Sequence, residues 1–236
     1  MQQNLQNKAG LVDGVFNKVY DKYDLMNDFM SFGIHRLWKK NLMNWMNPTK
    51  NKKYLDVACG TGDLGKLFLD YTDKNGEIIS SDSNSKMIEK GKKRLSKYKN
   101  IKWVVAEAEK LPFKNDTFDF YTISFGLRNT KNLDKSLSEA YRVLKPGGKY
   151  CCLEFSTPKS SLVSNSYKIY KSKILPLLGE IIAKDKRAYT YLSESIDLFP
   201  SQEELSKCLI NCGFEKIETI NLFNGIVAIH IGYKSL

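Results

Sequence analysis

Polar and apolar positions change rhythm along the chain, and the changes divide it into elements. VFNKVYDKYDLMNDFM (15–30) and HRLWKKNLMNWM (35–46) place apolar side chains three and four apart, as in helices that bury one face. A break at Ser31–Gly33 separates them, and Pro48 closes the second. Short apolar runs then alternate with helical stretches. KYLDVA (53–58), EIISSD (77–82), IKWVVAEA (101–108), FDFYTISF (118–125) and KYCCLEF (149–155) read as strands. DLGKLFLDYT (63–72), SNSKMIEKGKKRLSKY (83–98) and LDKSLSEAYRVLKPGG (133–148) read as the helices between them. Ser or Asn caps the second of these, and Pro-Gly-Gly ends the third. Such alternation means parallel βαβ units with helices on both faces of a sheet.

The rhythm fails over residues 158–200, a helical, Lys- and Tyr-rich stretch that predicts an insert over one edge. It resumes in SQEELSKCLINCGF (201–214), where Ser201 and Glu204 fit a capping box. EKIETINLF (215–223) and IVAIHIGYK (226–234) follow as two strands, with Asn224-Gly225 as a hairpin turn. The expected architecture is a doubly wound, mostly parallel seven-stranded sheet that ends in an antiparallel hairpin.

Composition narrows the class. The chain has 236 residues, 42% of them hydrophobic, which suits one domain with one sizeable core. The first residues, MQQNLQNKAGLVDGV, lack the apolar core of a secretory signal. The greasiest run, ILPLLGEIIA (174–183), is too short for a membrane span and holds Pro176 and Glu180. A soluble or peripheral intracellular protein is expected. Five cysteines without a CxxC pair, and two distant histidines, His35 and His230, argue against zinc and for small buried thiols. In a strand, Cys151 and Cys152 must point to opposite faces. The net charge of +11 is densest in KMIEKGKKRLSKYKNIK (86–102), which reads first as a solvated helix face and second as a lipid-attracting one.

The most informative stretch is LDVACGTGDLG (55–65). Its G-x-G-x-x-G follows a predicted strand and opens a predicted helix, the setting of a nucleotide-binding turn. Asp82 ends the next strand 20 residues after Gly62, where a carboxylate accepts both hydroxyls of a ribose. Asp56, four residues before Gly60, would repel a pyrophosphate and attract a ligand with an ammonium and a sulfonium, and Asp63 adds another carboxylate unhelpful to pyrophosphate. The pattern favours S-adenosylmethionine over NAD. Glu107, at the end of the third strand, can accept from an adenine amino group or simply face solvent.

The runs LDVACGTGD, SSD, AEAEKLPF, FDFYTISF and YRVLKPGG resemble the class I S-adenosylmethionine-dependent methyltransferases, whose fold is Rossmann-like. YDKYDLMNDFMSFGIHRLWKK (20–40), TISFGLRN (122–129), LEFSTP (153–158), YTYLSESIDLFPSQEEL (189–205) and GIVAIHIGYK (225–234) resemble, more narrowly, the C-methyltransferases of ubiquinone and menaquinone biosynthesis. The resemblance spans roughly residues 15–235. It implies one methyltransferase domain over 1–236: an N-terminal helical extension (1–50), a cofactor-binding half (51–157), the insert (158–200) and a C-terminal helix and hairpin (201–236). It implies cofactor contacts at Thr61, Asp82, Glu107, Ala108 and Ser124, beside Asp56, Gly60 and Gly62. Glu107 stands where the family usually has Asn or Asp, and Gly65 where Thr is more usual.

The implied reaction is transfer of a methyl group to a ring carbon of a polyprenyl hydroquinol, either a 2-methoxy-6-polyprenyl-1,4-benzoquinol or a demethylmenaquinol. FGIHRLWKK looks more like the proteobacterial members, which often serve ubiquinone. No metal is needed. Arg128, just past the fourth strand, cannot readily act as a base and suits the binding of a quinol oxygen or phenolate, with Asn129 beside it. The competing reading pairs Arg128 with an N-terminal carboxylate such as Asp24 or Asp28. No general base declares itself: His230 reads as a core histidine, His35 as a helix cap, and Tyr20, Tyr23, Tyr189 and Tyr191 as aromatic packing or pocket lining. Leu25, Met26, Phe29, Met30, Trp38, Ile174, Leu175, Leu177 and Leu178 offer an apolar groove for the tail. Lys168, Lys171, Lys173, Lys184, Lys186 and Arg187 flank the insert, which reads equally as a plain lid or as a surface for an anionic membrane. Location is then cytoplasmic or peripheral on the inner face of the cytoplasmic membrane. The partners allowed are that membrane, other quinone-biosynthesis enzymes and a second copy of the chain. Nucleic acid is not among them: SFGLRN stands where amine-methylating enzymes of bases carry Asn/Asp-Pro-Pro-aromatic, and no Cys follows a Pro. A small-molecule O-methyltransferase would share the same cofactor residues, and so would a non-catalytic binding module.

Overall fold

The computed structural model describes residues 33–158 and 186–236, together with 160, 167 and 170. The helix expected over 15–30, most of the insert, Asp24 and Asp28 lie outside the described residues. The elements are α1 (His35–Met46), β1 (Lys53–Val57), α2 (Asp63–Tyr71), β2 (Glu77–Asp82), α3 (Ser85–Arg94), β3 (Ile101–Val105) and β4 (Phe118–Ser124). A 3-10 turn (Leu127–Asn129), α4 (Leu133–Val143), β5 (Leu144–Phe155), α5 (Lys186–Asp197), α6 (Gln202–Asn211), β6 (Phe214–Leu222) and β7 (Val227–Lys234) follow. The seven strands lie in the order β3-β2-β1-β4-β5-β7-β6. β1 to β5 are parallel, and β7 runs antiparallel to both β5 and β6, as the strand pattern predicts.

Each face of the sheet carries its own core. One holds Leu137, Ala140 and Val143 of α4 and Leu205 and Leu209 of α6; the other holds Trp38, Leu42, Met43 and Met46 of α1 and Leu64, Phe68 and Leu69 of α2. Cys152 belongs to the first and Cys151 to the second, so adjacent thiols do face opposite ways. Local signals act as expected at several ends. Asn84 Oδ1 caps α3 by accepting from Lys86 N at 2.9 Å and Met87 N at 3.3 Å. Ser201 and Glu204 form the capping box of α6. The α3 lysines stand out from a buried face of Met87, Ile88 and Gly91, which is the solvated-face reading of the basic block.

Three boundaries differ. α4 stops at Val143, and Leu144 already pairs with Phe118 in the sheet. The Lys145–Gly148 segment then bulges before Lys149 pairs with Phe120, so Pro-Gly-Gly shapes a strand irregularity rather than ending the helix. The hairpin turn is wider than Asn224-Gly225: Phe223, Asn224 and Gly225 have φ of 48°, 58° and 87°. His35 is not a cap; it is the first helical residue, buried, with Ile34 at the cap position making no side-chain bond.

Candidate active site

Strand order reverses between β1 and β4, and in open α/β sheets that reversal opens a crevice past the strand ends. Both strands are followed by a non-glycine residue in the left-handed region, Ala58 at φ 52° and Phe125 at φ 55°. Such conformations are held only where the surroundings enforce them, and they cluster at functional sites. Gly126 has an ordinary φ of −118°. It must be glycine for a different reason than a turn: a Cβ there would lie 2.3 Å from the Ala58 Cβ. The two loops thus cross in contact.

A cavity of about 380 Å³ opens there, within the roughly 300–1,000 Å³ usual for small-molecule sites. Gly60, Asp82, Glu107, Ala108, Gly126 and Asn129 are on its wall. The Asp82 carboxylate accepts from Gly60 N at 2.8 Å through one oxygen and from Asn84 N at 2.9 Å through the other. One side chain therefore pins the glycine loop to the start of α3. Burial raises its pKa and the two N–H groups oppose that. Each oxygen keeps a lone pair for a further donor. Glu107 forms an ion pair with Lys131 across the cavity mouth, and Lys131 N and Asn132 N donate to Glu109. Size, the ribose-type carboxylate and an adenine-side carboxylate fit S-adenosylmethionine.

Other expected cofactor residues are not on that wall. Asp56 is buried under the loop, 1% exposed. Its Oδ1 accepts from Thr122 Oγ1 at 2.9 Å, and the Tyr54 hydroxyl lies 2.5 Å from the same Oγ1. Its Oδ2 has no partner, and Ser124 Oγ at the end of β4 is likewise buried and unpartnered. Burial raises the Asp56 pKa to about 7 against the pull of Thr122 and Lys39. Thr61 is buried, and its carbonyl accepts from Arg94 Nη2 at 2.8 Å. Gly62, at φ 88°, has no room for a Cβ, which would fall 2.5 Å from the Trp103 ring. Asp63 is not on the cavity wall: Lys39 at 2.8 Å and Arg94 at 2.6 Å neutralise it and tie α1 and α3 to the loop. Burial pushes its pKa up, but these two cations outweigh that and hold it below the usual carboxylate range.

Arg128 is 8% exposed and, among the described residues, pairs with the carboxylate of Glu154. Nη1 reaches Glu154 Oε1 at 2.8 Å and the Phe125 carbonyl at 2.5 Å. The guanidinium carbon stands 5.4 Å from the centre of the Phe155 ring. Phe155 also packs on Phe125 and Trp38, at ring separations of 4.9 and 6.2 Å. Nε is buried and has no acceptor. Asn129 joins the two halves. It is on the cavity wall, its Nδ2 lies 3.5 Å from the Phe125 carbonyl, and its Oδ1 accepts from the Tyr191 hydroxyl of α5 at 3.0 Å. Glu154 escaped the residue-by-residue reading because it meets Arg128 across 26 positions; its place in LEFSTP was the only signal. Tyr191, read as packing or lining, contributes a hydrogen bond. His230 is buried, with Nε2 3.2 Å from the Gln202 carbonyl and Nδ1 unpartnered, a core histidine that is not on the cavity wall. Among the described residues no group of His, Cys, Asp or Glu is arranged to hold a metal.

Solved structures carry the same fold. A possible histamine N-methyltransferase of Thermotoga maritima, titled an S-adenosylmethionine-dependent methyltransferase, matches with a TM-score of 0.68 at 20% identity, over 94% of this chain and 99% of that one. A Haemonchus contortus phosphoethanolamine N-methyltransferase solved with S-adenosyl-L-methionine matches at 0.63 and 18% identity, over 84% of this chain and 52% of that one. In sequence, the chain is 50% identical over 233 residues to a Rickettsia bellii protein named "Ubiquinone/menaquinone biosynthesis C-methyltransferase UbiE", covering 96% of this chain and 94% of that one. The model of the ubiE/COQ5 methyltransferase family matches residues 1–234. This chain belongs to the ubiE/COQ5 methyltransferase family.

Proposed function

We propose that this protein methylates a ring carbon of a polyprenyl quinol, a 2-methoxy-6-polyprenyl-1,4-benzoquinol or a demethylmenaquinol, using S-adenosylmethionine. The observation that carries the reading is the junction at Gly126–Asn129. A cavity fit for the methyl donor and a buried, partly unsatisfied guanidinium meet there within four residues of chain. The donor supplies an already activated methyl group, so the chain's task is placement and charge. Asp82 takes the ribose hydroxyls, Glu107 and the backbone at Ala108 take the adenine edge, and the Gly60–Gly62 loop lets the backbone close in. Asp56 and Ser124 contribute unpartnered oxygens beneath that loop. Arg128 stabilises the quinol oxygen as it becomes a phenolate and pushes charge onto the ring carbon. Asn129 sets the acceptor against the cavity. The phenolic proton would go to water; the ring carbon would then take the methyl as its bond to sulfur breaks, leaving S-adenosylhomocysteine, and the ring-carbon proton would pass through water back to the quinol oxygen as the ring regains aromaticity.

The experiment is transfer of labelled methyl to short-chain demethylmenaquinol and to methoxy-benzoquinol, with the product's methyl located by mass spectrometry. A C-methyl quinol is expected. Methyl on oxygen would favour the small-molecule O-methyltransferase, and methyl on RNA would overturn the reading. No helix among the described residues is long and apolar enough to cross a membrane. The net charge of +11 and a substrate that resides in lipid support a peripheral contact with an anionic membrane. Co-sedimentation with anionic vesicles at low salt checks it; no binding there counts against the contact.

A further inference from the structure

We propose that Glu154 is a positioning residue: it fixes the roll of the Arg128 guanidinium so that the Nε edge is the donor presented to the acceptor's oxygen. This rests on the role given to Arg128 above. The carboxylate is 2% exposed and fully engaged. Oε1 accepts from Arg128 Nη1 at 2.8 Å and from Phe155 N at 2.9 Å, and Oε2 faces Arg128 N at 3.3 Å. Backbone and side chain of Arg128 are thus held by one group. The Phe125 carbonyl takes Nη1 from another direction at 2.5 Å, and Phe155 packs beneath the guanidinium. Together these remove the freedom of a long side chain to turn about its own axis. What remains is the edge formed by Nε and Nη2: Nε is buried with no acceptor, and neither Glu154 nor the Phe125 carbonyl engages Nη2. An unsatisfied donor in the interior is costly and rare, so a pinned cation with one edge left empty marks where an acceptor is missing. The arrangement also explains why Glu154 is not the general base: its oxygens face three N–H groups rather than a substrate proton. The ion pair cancels Arg128's full charge, leaving a directed hydrogen bond whose value depends on aim.

The test is a kinetic cycle on labelled methyl transfer to demethylmenaquinol with Glu154→Gln, Arg128→Lys and the double variant. Glutamine keeps the shape but turns one end into a donor that meets the N–H of Phe155 or Arg128. With Arg128 present, kcat is expected to fall roughly 30-fold, with the Kd for S-adenosylmethionine within about twofold of wild type. In the Arg128→Lys background there is no edge to aim, and the same change should cost less than about threefold. Costs that multiply, or an unchanged kcat in Glu154→Gln, would overturn the proposal. If the glutamine variant does not give a folded, cofactor-binding protein, Glu154→Asp enters the same cycle. It keeps the charge and withdraws the acceptor by one methylene, with the same expected non-additivity. Failure of the wild type itself to methylate the quinol would instead remove the functional reading on which this rests.

Discussion

Past the ends of β1 and β2, recognition is built largely from backbone. Gly60 and Asn84 turn their N–H groups onto Asp82, and Gly62 fits against Trp103 only because it has no side chain. Past the ends of β4 and β5 the parts are side chains: a buried Arg128–Glu154 pair, three aromatic rings around it, and a hydroxyl from α5 on Asn129. The first construction suits a ligand whose shape never varies and whose hydroxyls need fixed acceptors. The second suits a flat ring on which charge appears only during reaction, where an oriented donor matters more than a tight outline. On the proposed function, one fold edge carries a binding half and a chemical half, and they should fail differently.

The largest expected effect is at Asp82. Asp82→Ala removes the acceptor for the ribose hydroxyls and releases both the glycine loop and the start of α3. Bonds to a charged acceptor are worth about 1.5–3 kcal/mol each, so S-adenosylmethionine should bind roughly 10³-fold more weakly by calorimetry. A loss under tenfold would break the comparison, because Asp82 would then be scaffold only. Arg128→Lys tests the other half. A lysine cannot reproduce the fork that spans Glu154, Phe125 and an acceptor. Turnover should fall about 100-fold while cofactor affinity stays within about twofold. A matching loss of cofactor affinity would show that the two halves are not separate.

The halves also differed in how far they could be read from the chain alone. Asp82 was legible because its place depends on local spacing: a glycine turn, one helix and the next strand end leave little freedom. All seven strands and the final hairpin were legible for the same reason. Glu154 was not, because the register of β5 on β4 shifts at a bulge over Lys145–Gly148, and that bulge sets which β5 residue ends beside Arg128. A one-residue change of register would face Glu154 the other way. Arg128 was expected beside a carboxylate or a substrate oxygen, and its carboxylate partner proved to be a strand residue. The pairing of Asp63 was not legible either, since nothing local reveals that Lys39 and Arg94 converge on it from different helices.

Where the halves meet, Gly126→Ala should act on stability before activity. The new methyl would have to sit 2.3 Å from the Ala58 Cβ, which forces the β1 and β4 loops apart. Overpacking of this kind costs about 1–3 kcal/mol, measurable by chemical denaturation. Ala58→Gly in the same chain makes the space and suits that residue's φ of 52°, so the double variant should recover most of the loss. No recovery would mean that the loops do not depend on that contact.

The smallest effect separates the two buried carboxylates. Asp56 has one hydroxyl donor, whereas Glu154 has three N–H groups around it. Burial raises Asp56 to about 7, opposed by Thr122 and Lys39 and aided by Asp63 and Asp82. The folded chain therefore keeps a proton that the unfolded chain releases. The resulting stability is full below the unfolded value near 4 and is lost as pH rises through 7. His230 works in the opposite sense. Burial lowers it to about 4, with the Gln202 carbonyl opposing, so its contribution is present above about 6.5 and is lost as pH falls through 4. The wild-type curve alone will mix the two. The difference between wild type and Asp56→Asn isolates the first, because His230 is common to both. From pH 8 to pH 6 that difference should move by about 1 kcal/mol in favour of the wild type, read from urea unfolding of the unliganded protein. A flat difference would mean that Lys39 holds Asp56 ionised, and the cofactor half would then contain a paired carboxylate like the one at Arg128.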